Sequence, residues 1–258
     1  MSRGAVKMIN FVHPELEQDF YWQKKISTSF DSQYFANLID STLLKPSTTI
    51  NEIDKLCEDA LLAKFRSVCV PPCYTKDAKL KLRNSEVKVC TVLGFPLGYT
   101  STVAKVEEMK SVMAYVDEFD FVQNITFVKN SDFRSLENEY LLIVQSAKDK
   151  LVKVILETAL LSAEEIYNCT LLAAKCGIHV IKTSTGFSSR GASLQDIEVI
   201  KNALNAYQQE TGNVVGIKAS GGIRSVDDAY AFVQAGVTRL GTSGGNDIIK
   251  GKLNNSNY

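Results

Sequence analysis

From Tyr34 onward, short apolar runs alternate with longer amphipathic stretches. The apolar runs read as strands: Leu38–Leu44, Ser67–Val70, Lys88–Leu93, Glu118–Gln123, Lys153–Glu157, Val180–Thr183, Val215–Ala219 and Thr238–Gly241. The stretches between them carry apolar residues at helical spacing, as in Ile53, Leu56, Leu61 and Ala60. Three of them have legible starts. Thr49, Ser162 and Ser225 each offer an N-cap oxygen, with Glu52, Glu165 or Asp228 three residues on. Gly177 and Gly236 stand where two of these helices should stop. Strands alternating with helices signal a parallel sheet, and eight steps favour a closed barrel over an open one. The expected fold is α/β, a single-domain (β/α)8 TIM barrel over residues 33–245. Residues 1–32 lack a clean period and read as an N-terminal arm, packed on the outside or at a subunit contact, with no chemistry assigned. Residues 246–258 read as a helix remnant and a flexible tail.

Within three strands the alternation carries polar groups inward. In Val180–Ser184, Val180, Lys182 and Ser184 share a face opposite Ile181 and Thr183. Lys182 thus points where Val180 points, although alone it also reads as a strand-end lysine snorkelling to water. In Asp117–Asn124, Phe119 and Phe121 belong under helices, which turns Asp120 inward. A carboxylate there needs a partner, and a structural salt bridge is its bland explanation. In Val215–Ser220, Lys218 shares its face with Gly216 and Ser220. Two inward lysines on neighbouring strands, with an inward aspartate, point to chemistry. Crowded ammonium groups disfavour each other's charge, so at least one amine is expected to lose its proton more easily. The three groups titrate together.

Catalytic groups of such barrels lie at the C-terminal strand ends, and the loops after strands 7 and 8 often hold phosphate. Gly221-Gly222 and Gly241-Thr242-Ser243-Gly244 occupy those two places, and Gly186 follows the sixth strand. Glycines let backbone N–H groups crowd an anion.

Composition narrows the partners. The 258 residues carry 29 basic and 29 acidic side chains, so no global field draws nucleic acid or a membrane surface. No apolar run approaches the roughly 18 residues of a membrane span. Six cysteines without a Cys-x-x-Cys pair, and only His13 and His179, argue against a structural zinc or a metal-dependent aldolase. Free thiols without a secretory signal suggest the cytoplasm.

The motifs IDSTLLKP (39–46), VCVPP (68–72), DEFDFVQN (117–124), KVILET (153–158), IKTSTGF (181–187), GIKASGGIR (216–224) and RLGTSGG (239–245) resemble the deoxyribose-phosphate aldolase family. The resemblance covers nearly the whole chain after the arm. It implies a class I aldolase that cleaves 2-deoxy-D-ribose 5-phosphate to D-glyceraldehyde 3-phosphate and acetaldehyde, in deoxyribonucleotide catabolism. No metal or organic cofactor is implied. Carried over by motif, Lys182 is the Schiff-base lysine, Lys218 the lysine that perturbs it, and Asp120 the acid/base partner. Asp40, Thr42, Cys69 and Thr185 fall at supporting or substrate-binding positions, and Gly186, Gly221, Gly222, Gly241, Ser243 and Gly244 at phosphate-binding ones. Tyr258 matches a terminal tyrosine that folds over the site in some members. The partners implied are a small phosphorylated sugar and aldehydes, and a homo-oligomer, dimer or tetramer, is compatible with the barrel. Departures include Ser41 where many members have histidine, ITFVKNSDF after the fourth strand, and Ser243-Gly244 in place of a serine pair. Two other readings stay open: a Schiff-base barrel aldolase for another phosphorylated sugar, and a silent barrel acting as a binding module.

Overall fold

The computed structural model describes residues 13–23 and 30–251. Among these, eight parallel strands close into a barrel in sequence order: β1 (Ile39–Thr42), β2 (Ser67–Val70), β3 (Lys88–Leu93), β4 (Glu118–Val122), β5 (Leu151–Ile155), β6 (Val180–Lys182), β7 (Gly216–Ser220) and β8 (Arg239–Thr242).

Every second residue of each strand faces the surrounding helices. Val68, Val89, Phe119, Phe121, Val152, Val154, Ile181, Ile217 and Leu240 are fully or almost fully buried in that outer core. Helices Ile50–Ala63, Phe133–Ala147 and Ala163–Lys175 lay apolar stripes over it. The three capping boxes expected from sequence are formed, at Thr49/Glu52, Ser162/Glu165 and Ser225/Asp228. Each satisfies backbone donors that the first helical turn leaves unpaired. Gly177 and Gly236 end their helices in left-handed backbone, with φ of 85° and 109°.

β5 departs from expectation by two residues. It starts at Leu151 and stops at Ile155, with Glu157 at φ 56° just beyond its end. Lys153 therefore sits mid-strand and faces inward instead of opening the strand at its solvent end.

Of the N-terminal arm, residues 13–23 and 30–32 fall among the described residues. Helix α1 (Pro14–Gln23) closes the N-terminal end of the barrel. Leu16 packs with Leu151 and Val180 there. The inward-facing Gly216 makes room: a Cβ on it would lie 3.2 Å from Leu16.

Candidate active site

Above that apolar floor the barrel interior is charged. β4 supplies Glu118 and Asp120, β5 Lys153, β6 Lys182, β7 Lys218, β8 Arg239 and β1 Asp40, all essentially without solvent contact. Register brings them together: Asp120 lies beside Lys153, Lys182 beside Lys218, and Lys218 beside Arg239.

Asp120 is the hub. Its Oδ2 accepts from Lys182 Nζ at 2.8 Å and from Lys218 Nζ at 2.9 Å. Its Oδ1 accepts from Lys153 Nζ at 2.8 Å and from Cys90 Sγ at 3.2 Å. Lys153 also reaches Glu118 at 2.5 Å, and Lys218 reaches Asp40 at 2.5 Å. Arg239 spans the lower side, donating to Asp40, Glu118 and Asp19.

Burial raises the Asp120 carboxyl, but the ammonium groups of Lys153, Lys182 and Lys218 outweigh it and hold the carboxyl well below its usual range. Glu118 follows the same logic with Arg239 and Lys153, and falls to about 2. Burial opposes the charges of Lys153 and Lys218, yet the carboxylates around them raise both above the ordinary lysine value. The like-charge crowding expected from sequence therefore frees neither of these two amines. The reason is compositional: the carboxylates of Asp40 and Glu118 enter the cluster with Asp120, and reading Asp120 alone undercounted the negative charge.

A cavity of about 350 Å³ opens over the C-terminal strand ends. Of the three lysines, Lys182 lines it; Lys153 and Lys218 lie beneath. Thr42 and Thr185 line it, as do Gly186, Gly221, Gly222, Gly241 and Ser243. Gly186, Gly221 and Gly222 hold φ of 85°, 82° and 82°, backbone that a side chain would strain. Lys45 and Arg224 add two cations to the wall.

Two expected positions differ. Gly244 does not line the cavity, and its N–H is turned back onto Thr242 Oγ1 at 2.8 Å. Cys69 lies deeper, paired in register with Cys90. The adjoining Cys90 side chain lowers the Cys69 thiol against the effect of burial. Gly241 has a further use beyond lining: a Cβ there would stand 2.2 Å from Ser220 Oγ and 2.9 Å from Lys218 Cε. Tyr258 lies outside the described residues.

Sequence reasoning missed Lys153, Glu118, Arg239 and Glu157. Glu157, strained into left-handed backbone, accepts from Thr185 Oγ1 and from its N–H, and so fixes the turn that follows Lys182. Cys69, Cys90 and Asp120 bring ligand-type atoms within 4.8 Å of one another. The Asp120 oxygens are already taken by three ammonium groups, which a cation would have to displace. A second cavity, of about 320 Å³, lies beside α1 and is lined by His13, His179 and Lys175. None of the clustered lysines lines it.

A model of the DeoC/LacD family aldolases matches residues 34–251. The chain belongs to this aldolase family. A deoxyribose-phosphate aldolase of Streptococcus equi subsp. zooepidemicus is 43% identical over 221 residues, covering 85% of this chain and 97% of the relative. One from Clostridium perfringens is 43% identical over 230 residues, covering 88% and 100%. Among solved structures, the deoxyribose phosphate aldolase of Aeropyrum pernix superposes with a TM-score of 0.79 at 28% identity, covering 91% of this chain and 96% of that one. That structure is described as a unique tetramer. The family match accounts for the barrel and leaves α1 outside it. No helix among the described residues of this family member is long and apolar enough to cross a membrane.

Proposed function

We propose that the chain is a deoxyribose-phosphate aldolase that works through a Schiff base on Lys182. One observation carries this reading. Of the three lysines gathered on Asp120, Lys182 reaches the cavity, and it has the fewest carboxylate partners. Lys153 is paired with Glu118 and Asp120, and Lys218 with Asp40 and Asp120.

Lys182 Nζ, as the free amine, adds to the aldehyde carbon of open-chain 2-deoxy-D-ribose 5-phosphate. The carbinolamine loses water and becomes a cationic iminium, which acts as an electron sink. A proton leaves the C3 hydroxyl, the C2–C3 bond breaks, and its electron pair flows into the iminium. Glyceraldehyde 3-phosphate departs and an enamine remains. Protonation at C2 and hydrolysis release acetaldehyde and restore the amine. Asp120 orients Nζ, stabilises the iminium charge and serves proton transfer, directly or through a water. Lys218 stays charged and shares the same carboxylate oxygen with Lys182.

The phosphate is assigned to Gly186, Gly221, Gly222 and Ser243, with Arg224 and Lys45 as cations. Binding it away from the breaking bond orients the reacting end. Thr42 and Thr185 line the space between. Gly241 shapes the floor, and Asp40 and Cys69 support from below. The Aeropyrum tetramer supports a homo-oligomeric assembly, and free cysteines suit a reducing cytoplasm. The test is product analysis. Deoxyribose 5-phosphate should give acetaldehyde and glyceraldehyde 3-phosphate in equal amounts; turnover of a different sugar phosphate in its place would overturn the substrate assignment.

A further inference from the structure

The barrel strands supply four cations to the central cluster, Lys153, Lys182, Lys218 and Arg239, but three carboxylates, Asp40, Glu118 and Asp120. The fourth carboxylate comes from outside the family match. Asp19 on α1 is fully buried and accepts from Arg239 Nε at 2.9 Å. Arg239 in turn holds Asp40 at 2.6 Å and Glu118 at 3.0 Å. Those two carboxylates are the partners of Lys218 and Lys153. A continuous chain of ion pairs thus runs from the arm to the nucleophile: Asp19, Arg239, Asp40, Lys218, Asp120, Lys182.

We propose that Asp19 is a positioning residue for catalysis, an anion that the N-terminal arm contributes to balance Arg239 and so set the charge felt by Lys182. The proposal rests on the Schiff-base reading of Lys182. The iminium carries the same charge as the ammonium it replaces. With Asp19 counted, the four strand cations face four carboxylates while Lys182 is an ammonium or an iminium; Arg66, the other cation on Asp19, has Glu15 as its own partner. Without it, the cluster carries a surplus positive charge, and Arg239 is free to draw Asp40 and Glu118 away from the lysines.

The groups facing Asp19 are few. Arg239 comes from β8. Arg66, just before β2, lies 3.2 Å away through Nε and is shared with Glu15 and Gln18 of α1. Glu15 also meets Lys88 of β3 at 3.3 Å. Glu118 of β4 and Asp40 of β1 lie across Arg239. His13 and His179 pack on each other beside the helix, with ring centres 4.8 Å apart. Burial raises the Asp19 carboxyl, and Arg239 and Arg66 oppose that rise.

The test is the pH profile of borohydride-trapped adduct formation, with steady-state kinetics, for full-length wild type, Asp19→Asn, Asp19→Glu and Leu16→Ala. Loss of a nearby anion makes an ammonium easier to deprotonate. Asp19→Asn should therefore move the midpoint to lower pH by about half a unit or more and lower kcat, with KM unchanged. Asp19→Glu should restore the midpoint. Leu16→Ala, which loosens the same helix without changing charge, should leave it in place. An unmoved midpoint in Asp19→Asn, or an equal shift in Leu16→Ala, overturns the proposal. Failure of wild type to trap any adduct on Lys182 overturns the Schiff-base reading instead, and this proposal with it.

Discussion

Lys182 and Lys218 are direct neighbours in register across β6 and β7, and both donate to one oxygen of Asp120, at 2.8 and 2.9 Å. Two ammonium groups on one carboxylate oxygen compete. Replacing Lys218 with methionine keeps the unbranched stem, removes the ammonium and ends the competition. Adduct formation on Lys182 should then need a higher pH, and kcat should fall by about 10²-fold or more. A pH profile of adduct formation that matches wild type would remove the role given to Lys218.

The depressed carboxylates make the fold acid-sensitive in a defined window. Glu118 is lowered to about 2 from an ordinary 4.5, because Arg239 and Lys153 overcome the effect of burial. A carboxylate lowered on folding adds stability that is fully present above its unfolded value. That stability is lost as pH falls through the folded value. Urea midpoints of wild type should therefore drop between about pH 4.5 and 2. Glu118→Gln should be less stable at neutral pH, because Arg239 and Lys153 lose a buried partner, and its midpoint should fall less steeply in that window. Parallel curves for the two proteins would contradict this ionic account.

Gly241 is required by space. A methyl group there meets Ser220 Oγ at 2.2 Å and Lys218 Cε at 2.9 Å. Gly241→Ala should cost about 1–3 kcal/mol of stability and displace the Lys218 stem. Adduct formation should slow more than chemical denaturation alone would explain. Wild-type rates in this variant would mean that the strand relaxes without moving the lysine.

The cation Arg224 lines the cavity with the left-handed glycines. Arg224→Met should raise KM for deoxyribose 5-phosphate about tenfold and leave cleavage of unphosphorylated deoxyribose unchanged. Equal losses on both sugars would place Arg224 outside phosphate binding.

Much of this site was legible because strand alternation is a strong rule. Phe119 and Phe121 had to lie under helices, so Asp120 had to face inward, and the same reasoning aimed Lys182 and Lys218. The rule fails where strand boundaries are unknown. Glu157 looked like the end of a strand that began at Lys153, but it lies beyond the end of β5 with positive φ, and the strand's start at Leu151 puts Lys153 in its middle. Nothing local marked Arg239 as interior, because its three carboxylate partners lie about 120, 200 and 220 residues away in sequence. Asp19 gave no signal at all. Its burial depends on α1 folding back across the barrel floor, where Gly216 leaves room for Leu16. Gly186, Gly221, Gly222 and Gly241 line the cavity, whereas Gly244 was not separable from its neighbours in sequence until Thr242 was seen to hold its N–H.

The account depends on Lys182 being the amine that bonds to substrate. Reduction with borohydride in the presence of deoxyribose 5-phosphate, followed by peptide mapping, measures this directly. The adduct should map to Lys182, and Lys182→Ala should neither trap it nor turn over substrate. An adduct on Lys153 or Lys218, or one that persists at full yield in Lys182→Ala, would contradict it.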